Sequence, residues 1–168
     1  MTRVAGCSPS FHMTVAHYTN EAIGKFVEYL KTRPEYERTM VVITGDHEGL
    51  ADNRKGLCRT KAGKGIVSEN EFTPFIVLNS PVAMYYTKVM GQVDIYTTLL
   101  NLLGLEKYRW NGIGQSILDF GKPAVAIGPK RNIEGDTLSL SHEELWRMQL
   151  SPIISDRIIR FDKLKDLR

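Results

Sequence analysis

Apolar residues in the first fifth of the chain recur at intervals of three and four positions. They are Val15, Tyr18, Ala22, Phe26, Val27, Tyr29 and Leu30. This period puts apolar side chains on one face of a helix. Pro34 ends the pattern, because the residue before a proline avoids helical backbone angles. The spacing therefore predicts a helix from about Met13 to Thr32.

Two unbroken runs of strand-forming residues follow this helix. The first is Thr39–Thr44, which ends at Gly45, and the second is Thr73–Asn79. Pro74 is tolerated in the second run because a residue at the start of a strand need not donate a ladder hydrogen bond. Continuous apolar runs are typical of strands buried on both faces of a parallel sheet. We predict two such strands.

A second helical pattern runs from Val93 to Leu103 and stops before Gly104, a residue type that is common just beyond helix ends. Asp94 in its first turn either contacts a functional site or offsets the helix dipole, and the dipole is the simpler interpretation. Helices that alternate with buried strands predict an α/β domain, layered α/β/α, with a mostly parallel sheet.

Signals for regular structure are weaker in the last third of the chain. Ala124–Ile127 is interpreted as a short strand and Asn132–Asp136 as a loop. Ser141, with Glu144 three residues later, forms the capping-box pattern that begins a helix. Pro152 is expected to break this helix, and the residues after it are expected to form a short second helix or an edge strand.

The composition is typical of a soluble globular protein of ordinary domain size. The 168 residues are 42% hydrophobic and 24% charged, with no internal repeat. No run of about 18 apolar residues indicates a membrane span, and no charged and apolar leader indicates export. We therefore interpret residues 1–168 as one unit with no membrane span of its own.

Positive charge is concentrated in one segment, although the net charge is only +3. Arg54, Lys55, Arg59, Lys61 and Lys64 fall within eleven residues. A solvated loop is one interpretation, and an anion-attracting surface is the other. No aromatic residues interleave with these charges as stacking platforms, so nucleic acid is not expected as a partner. A phosphate-bearing substrate is the better functional hypothesis.

Asp46 and His47 follow directly after the first predicted strand. Ligands of open α/β sheets bind beyond the carboxyl ends of the strands, so side chains at this place are well positioned to act. A carboxylate beside an imidazole suits zinc or manganese. Gly45 and Gly49 would allow the backbone to turn tightly around an ion. For an isolated Asp-His pair the alternative is a turn cap and a surface histidine.

The order of the surrounding segments changes that balance. The string VVITGDHEG follows the helix YTNEAIGKFVEYLK and precedes FTPFIVLNSP and GQVDIYTTLLNLLGL. Together they resemble the alkaline-phosphatase-like superfamily, of the sulfatase type, and within it the lipoteichoic-acid-synthase-like phosphoglycerol transferases. The similarity runs from about His17 to Leu118. It implies the C-terminal part of such a domain, with residues 1–12 as loop, 13–118 as the core resemblance and 119–168 as a C-terminal extension.

The resemblance implies a divalent metal held by Asp46 and His47, commonly Mn²⁺, with Zn²⁺, Mg²⁺ and Ca²⁺ as alternatives. In the family a threonine or serine hydroxyl attacks the ester to form a covalent intermediate. The matching nucleophile and a further acidic ligand would lie upstream of the first helix. Thr2 and Thr14 do not have the required strand-then-helix setting. We therefore expect this chain to be inactive alone.

Other functional expectations depend on the same resemblance. His12 is the nearest match to a substrate-contacting histidine of the family, and Arg54 and Lys55 are the other substrate-binding candidates. The parent family is membrane-anchored, with its domain in the cell envelope facing the periplasm or cell exterior. A sulfatase fragment that acts on sulfate esters is one alternative. A non-catalytic module that self-associates as a homo-oligomer is another, because an open sheet edge can be paired in a dimer.

Overall fold

The structure is a computed structural model. It describes residues 9–47, 56, 59–61, 64, 72–110, 112–128 and 131–163. The chain divides into two compact units, unit one (Met1–Ser80) and unit two (Pro81–Arg168). Each unit is described by itself.

Unit one begins with helix α1, Pro9–Lys31, followed by a short 3-10 helix at Pro34–Arg38. The predicted helix is confirmed, but it starts four residues before the expected Met13. Residues 9–12 are therefore helical, whereas the sequence predicted a loop. The apolar repeat does not extend over this turn, although proline is favourable at the first helical position.

The apolar face of α1 is only partly covered. Ile23, Val27 and Leu30 are half-buried. Tyr18 and Phe26, which belong to the same predicted face, remain 74% and 57% exposed. Periodicity thus identified the helix correctly, but its apolar stripe is wider than the part that packs.

Strands β1 (Val41–Thr44) and β2 (Phe75–Leu78) form a two-stranded sheet. They pair antiparallel, with Val41 opposite Leu78 and Thr44 opposite Phe75. Asn79, at a φ of 56°, donates its side-chain amide to the carbonyl oxygens of Tyr36 (2.7 Å) and Thr39 (3.0 Å). This contact closes the end of the sheet that lies opposite Asp46.

The prediction of a mostly parallel sheet is not met within the described residues, where both strand pairs are antiparallel. The α/β content itself is confirmed. Both runs were interpreted as strands buried on two faces, yet Val41 to Ile43 are half-buried and Ile76 is exposed. An apolar run encodes the wish of a strand to be covered, but it does not encode the direction of the neighbouring strand.

Unit two contains helix α2, Asp94–Leu102, close to its predicted bounds. Gly104 adopts a φ of +70° just beyond it, as expected for a left-handed helix end. Thr98 is 1% exposed and joins α2 to the following segment. Its hydroxyl donates to the Asp94 carbonyl oxygen (2.7 Å) and accepts from the Ile117 amide (3.2 Å).

Strands β3 (Val125–Ile127) and β4 (Ile133–Gly135) form an antiparallel hairpin. The first strand was predicted, but the second falls where the sequence indicated a loop. Gly135 takes a φ of +103°, and a β-carbon there would lie only 2.1 Å from the Ala124 carbonyl oxygen. The glycine that favours a loop prediction is therefore the residue that allows the hairpin to close.

Helix α3, His142–Arg160, begins with the predicted capping box at Ser141 and Glu144. The predicted break at Pro152 is wrong, because the helix continues through it. A proline in a helix removes the hydrogen bond to the carbonyl four residues earlier, here Met148. The Ser151 hydroxyl donates to that carbonyl oxygen at 2.7 Å. This contact replaces the missing donor.

Candidate metal site

The Asp46–His47 pair lies where the sequence placed it, in a bend immediately after β1. The chain leaves the strand through Gly45, whose amide donates to the Pro74 carbonyl oxygen at 3.3 Å. A β-carbon on Gly45 would sit 3.2 Å from the Pro74 side chain and 3.5 Å from that of Thr73. Glycine therefore allows the two chains to remain close at the point where the pair emerges.

The two side chains are close to each other and open to solvent. The Asp46 Oδ2 and His47 Nε2 atoms are 3.6 Å apart, and the side chains are 88% and 54% exposed. The second carboxylate oxygen, Oδ1, accepts a hydrogen bond from the His47 backbone amide at 3.0 Å. One oxygen thus orients the carboxylate, while the other faces the imidazole.

This geometry fits two ligands of one divalent ion. Two atoms that each lie about 2.1 Å from a metal are roughly 3.0 Å apart in octahedral geometry and roughly 3.4 Å apart in tetrahedral geometry. The observed 3.6 Å needs an adjustment of a few tenths of an ångström, and exposed side chains can make it. In the part of the chain that the structure describes, no group of three or more His, Cys, Asp or Glu side chains could hold a metal. The pair is half of a site at most.

The other candidates from the sequence are not brought to this pair by any described contact. His12 lies in the first turn of α1, and the structure describes only its backbone. Arg54 and Lys55 lie outside the described residues. Arg59 and Lys61 of the same basic segment are exposed.

Asp94 is the acidic residue for which the sequence left two interpretations open. It is only 4% exposed, and its carboxylate accepts backbone hydrogen bonds from Gly91 and Gln115, both at 2.8 Å. Burial raises the pKa of this carboxyl, and the two amide donors oppose that shift. Its contacts join the start of α2 to the segment around Gln115. Asp94 therefore has a structural role in unit two.

Residues 12–105 match the family model described as Sulfatase. The match covers more than half of the chain and includes both Asp46 and His47. The chain therefore belongs to the sulfatase family.

Several curated relatives are lipoteichoic acid synthases. The chain is 29% identical over 125 residues to the lipoteichoic acid synthase-like protein YvgJ of Bacillus subtilis (strain 168), which covers 69% of this chain and 20% of that protein. Lipoteichoic acid synthase 1 of the same strain is 22% identical over 187 residues, covering 94% of this chain and 29% of that protein. The lipoteichoic acid synthase of Staphylococcus aureus (strain USA300) is 23% identical over 164 residues, covering 92% and 25%.

The chain spans between a fifth and a third of the length of these relatives. No solved structure matches it. Among the described residues, no helix combines the length and the apolar character needed to cross a membrane.

Proposed function

We propose that this chain supplies two metal ligands, Asp46 and His47, to a phosphoglycerol transferase or phosphoesterase of the sulfatase family. The observation that carries the proposal is the 3.6 Å approach of a carboxylate oxygen and an imidazole nitrogen directly after β1. The pair lies inside the segment that matches the family. The lipoteichoic acid synthases among the relatives favour phosphate esters as the substrate class.

The bound ion would supply Lewis-acid stabilisation of negative charge on the ester. The chain's own residues would hold it and orient it. The hydrogen bond from the His47 amide to Asp46 Oδ1 keeps the other carboxylate oxygen turned toward the imidazole. Such orienting contacts determine much of the affinity of a metal site.

Mn²⁺ is the ion we propose, with Zn²⁺ as the nearest alternative. Both accept a mixed set of oxygen and imidazole nitrogen ligands, whereas Mg²⁺ and Ca²⁺ prefer oxygen ligands alone. Two protein ligands leave most of the coordination shell to water, so we expect weak affinity. We also expect no turnover by the isolated 168-residue polypeptide, because the described residues bring no hydroxyl nucleophile to the pair.

The test is a Mn²⁺ titration of the full chain followed by electron paramagnetic resonance, which distinguishes free from bound ion. Asp46→Asn and His47→Gln should each weaken binding by about tenfold or more, since each removes one ligand. His142→Gln is the matched control, because His142 is also exposed but begins α3 in unit two. Unchanged binding in the two site variants, or equal loss in the control, would refute the proposal.

The name of the family itself favours a second candidate, a domain that acts on sulfate esters. The same titration distinguishes the two in the presence of excess phosphate or sulfate. A phosphate-ester site should bind Mn²⁺ more tightly with phosphate present and should respond less to sulfate. The reverse order would favour the sulfatase.

A further inference from the structure

Unit two contains a cleft that none of the proposed metal chemistry uses. It encloses about 550 Å³ between the β3–β4 hairpin, the turn at residues 120–123 and the 3-10 helix Thr137–Ser139. Sites for small molecules usually measure about 300–1,000 Å³. The volume is therefore sufficient for a small organic ligand.

Two ammonium groups line the cleft. Lys88 has no carboxylate within ion-pair distance in the described part of the chain. Lys122 pairs with Asp119 at 2.9 Å, and both side chains of this pair are about half exposed. A lysine ammonium has three donors, so Lys122 keeps two of them for a ligand. The lining therefore favours an anion with several acceptor oxygens.

A carboxylate and a hydroxyl line the same cleft. Ser139 Oγ donates to Asp136 Oδ2 at 2.7 Å. A carboxylate repels an anion, but it accepts hydrogen bonds from alcohols. A simple anion would satisfy the lysines and leave Asp136 unfavourably placed. A ligand with one anionic group and free hydroxyls would satisfy both sets.

The remaining walls are apolar and include Val89, Phe120 and Pro123. Such walls suit a short carbon skeleton between the polar groups. We propose that this cleft binds a small hydroxylated phosphate ester, with the phosphate on Lys88 and Lys122 and the hydroxyls on Asp136 and Ser139. The site does not require Asp46 and His47, so it stands independently of the proposed function.

The probe is glycerol 3-phosphate, titrated into the ¹⁵N-labelled full chain with a chelator present to exclude metal. We expect saturable shifts of the Gly121 and Gly135 amides, which belong to the lining, with a dissociation constant on the order of millimolar. Inorganic phosphate should bind at least about threefold more weakly, and glycerol alone should not saturate. No saturable shift with glycerol 3-phosphate, or equal affinity for phosphate and the ester, would overturn the proposal.

Two variants test the assigned contacts. Lys88→Gln should weaken glycerol 3-phosphate binding at least about fivefold, whereas Lys107→Gln, at an exposed lysine of unit two outside the cleft, should not. Asp136→Asn should weaken binding of the ester and strengthen binding of inorganic phosphate, because it removes both an acceptor and a repelling charge. Equal behaviour of the two lysine variants, or the same direction for both ligands in Asp136→Asn, would overturn the assignment.

The Asp46→Asn, His47→Gln double variant separates this site from the metal site. It should lose Mn²⁺ binding and retain glycerol 3-phosphate binding in the cleft. Loss of both would show that the shifts originate at the Asp46–His47 pair and would overturn the inference.

Discussion

Asp46 in unit one and Asp94 in unit two are both aspartates of the family segment, and their surroundings are opposite. The Asp46 side chain is 88% exposed and faces an imidazole. Asp94 is 4% exposed and accepts two backbone amides. An exposed carboxylate can exchange its water for a metal, whereas a buried one is committed to the amides that satisfy it. The first aspartate is suited to ligand binding and the second to holding the fold.

The strongest way to break this comparison is to remove the buried carboxylate. Asp94→Ala leaves the Gly91 and Gln115 amides without their acceptor, and it should lower the free energy of unfolding of unit two by about 3 kcal/mol. Asp94→Asn keeps one oxygen acceptor and should cost about half as much. Both tryptophans, Trp110 and Trp146, belong to unit two, so urea unfolding followed by tryptophan fluorescence measures the effect.

The control for this prediction is Asp156→Ala. Asp156 pairs with Arg160 on the exposed side of α3, with side chains 53% and 72% exposed. A surface pair of this kind contributes little. An Asp94→Ala midpoint equal to that of the control would contradict the structural role of Asp94.

A second, smaller effect is expected inside α3. Ser151→Ala removes the hydroxyl that donates to the Met148 carbonyl oxygen, and it should cost about 1 kcal/mol. In a Pro152→Ala background the backbone amide of residue 152 can donate to that carbonyl instead, so the cost of Ser151→Ala should largely vanish. A double-mutant cycle measured by urea unfolding tests this coupling. Ser155→Ala, at an exposed site on the same helix, is the control, and equal costs in both backgrounds would contradict it.

The pH dependence of stability should also carry the signature of Asp94. Burial raises the pKa of its carboxyl in the folded chain above the ordinary value of 3.8. The folded state therefore binds the proton more tightly, and the stability from this group is present below 3.8 and lost as pH rises through the raised pKa. Wild type should gain stability relative to Asp94→Asn on going from pH 7 to pH 4. Parallel urea midpoints for the two proteins across this range would contradict the prediction.

The smallest expected effect is at the metal pair. Asp46→Asn and His47→Gln should change the free energy of unfolding by less than about 0.5 kcal/mol, because exposed positions outside the core rarely matter more. Far-UV circular dichroism during urea unfolding measures this in unit one, which contains no tryptophan. Large destabilisation by either variant would place the pair in the scaffold and erase the contrast with Asp94.

The elements predicted correctly from the sequence depend on local signals. The period of α1, the Gly104 end of α2 and the capping box of α3 each lie within a few residues of the feature that they specify. The Asp46–His47 pair was located in the same way, from its place after a strand and from the order of the neighbouring segments. The family to which these segments belong is confirmed by the match over residues 12–105.

The errors concern contacts made over a distance or by an unexpected partner. Strand β4 was missed because its pairing with β3 depends on the backbone of Gly135 and not on an apolar pattern. The helix was expected to stop at Pro152 because the rule for proline does not include the preceding serine hydroxyl. The direction of the β1–β2 pair could not be read from either strand.

The sequence by itself determined the helices, the places of β1 to β3, the family and the residues that are chemically able to bind a metal. Only the tertiary structure decided that Asp46 faces solvent and Asp94 is buried, and that Lys88, Lys122 and Asp136 line one cleft. The physical reason is that periodicity and caps act between neighbours along the chain. Burial, and with it the role of a carboxylate, depends on which distant segment supplies the amides around it.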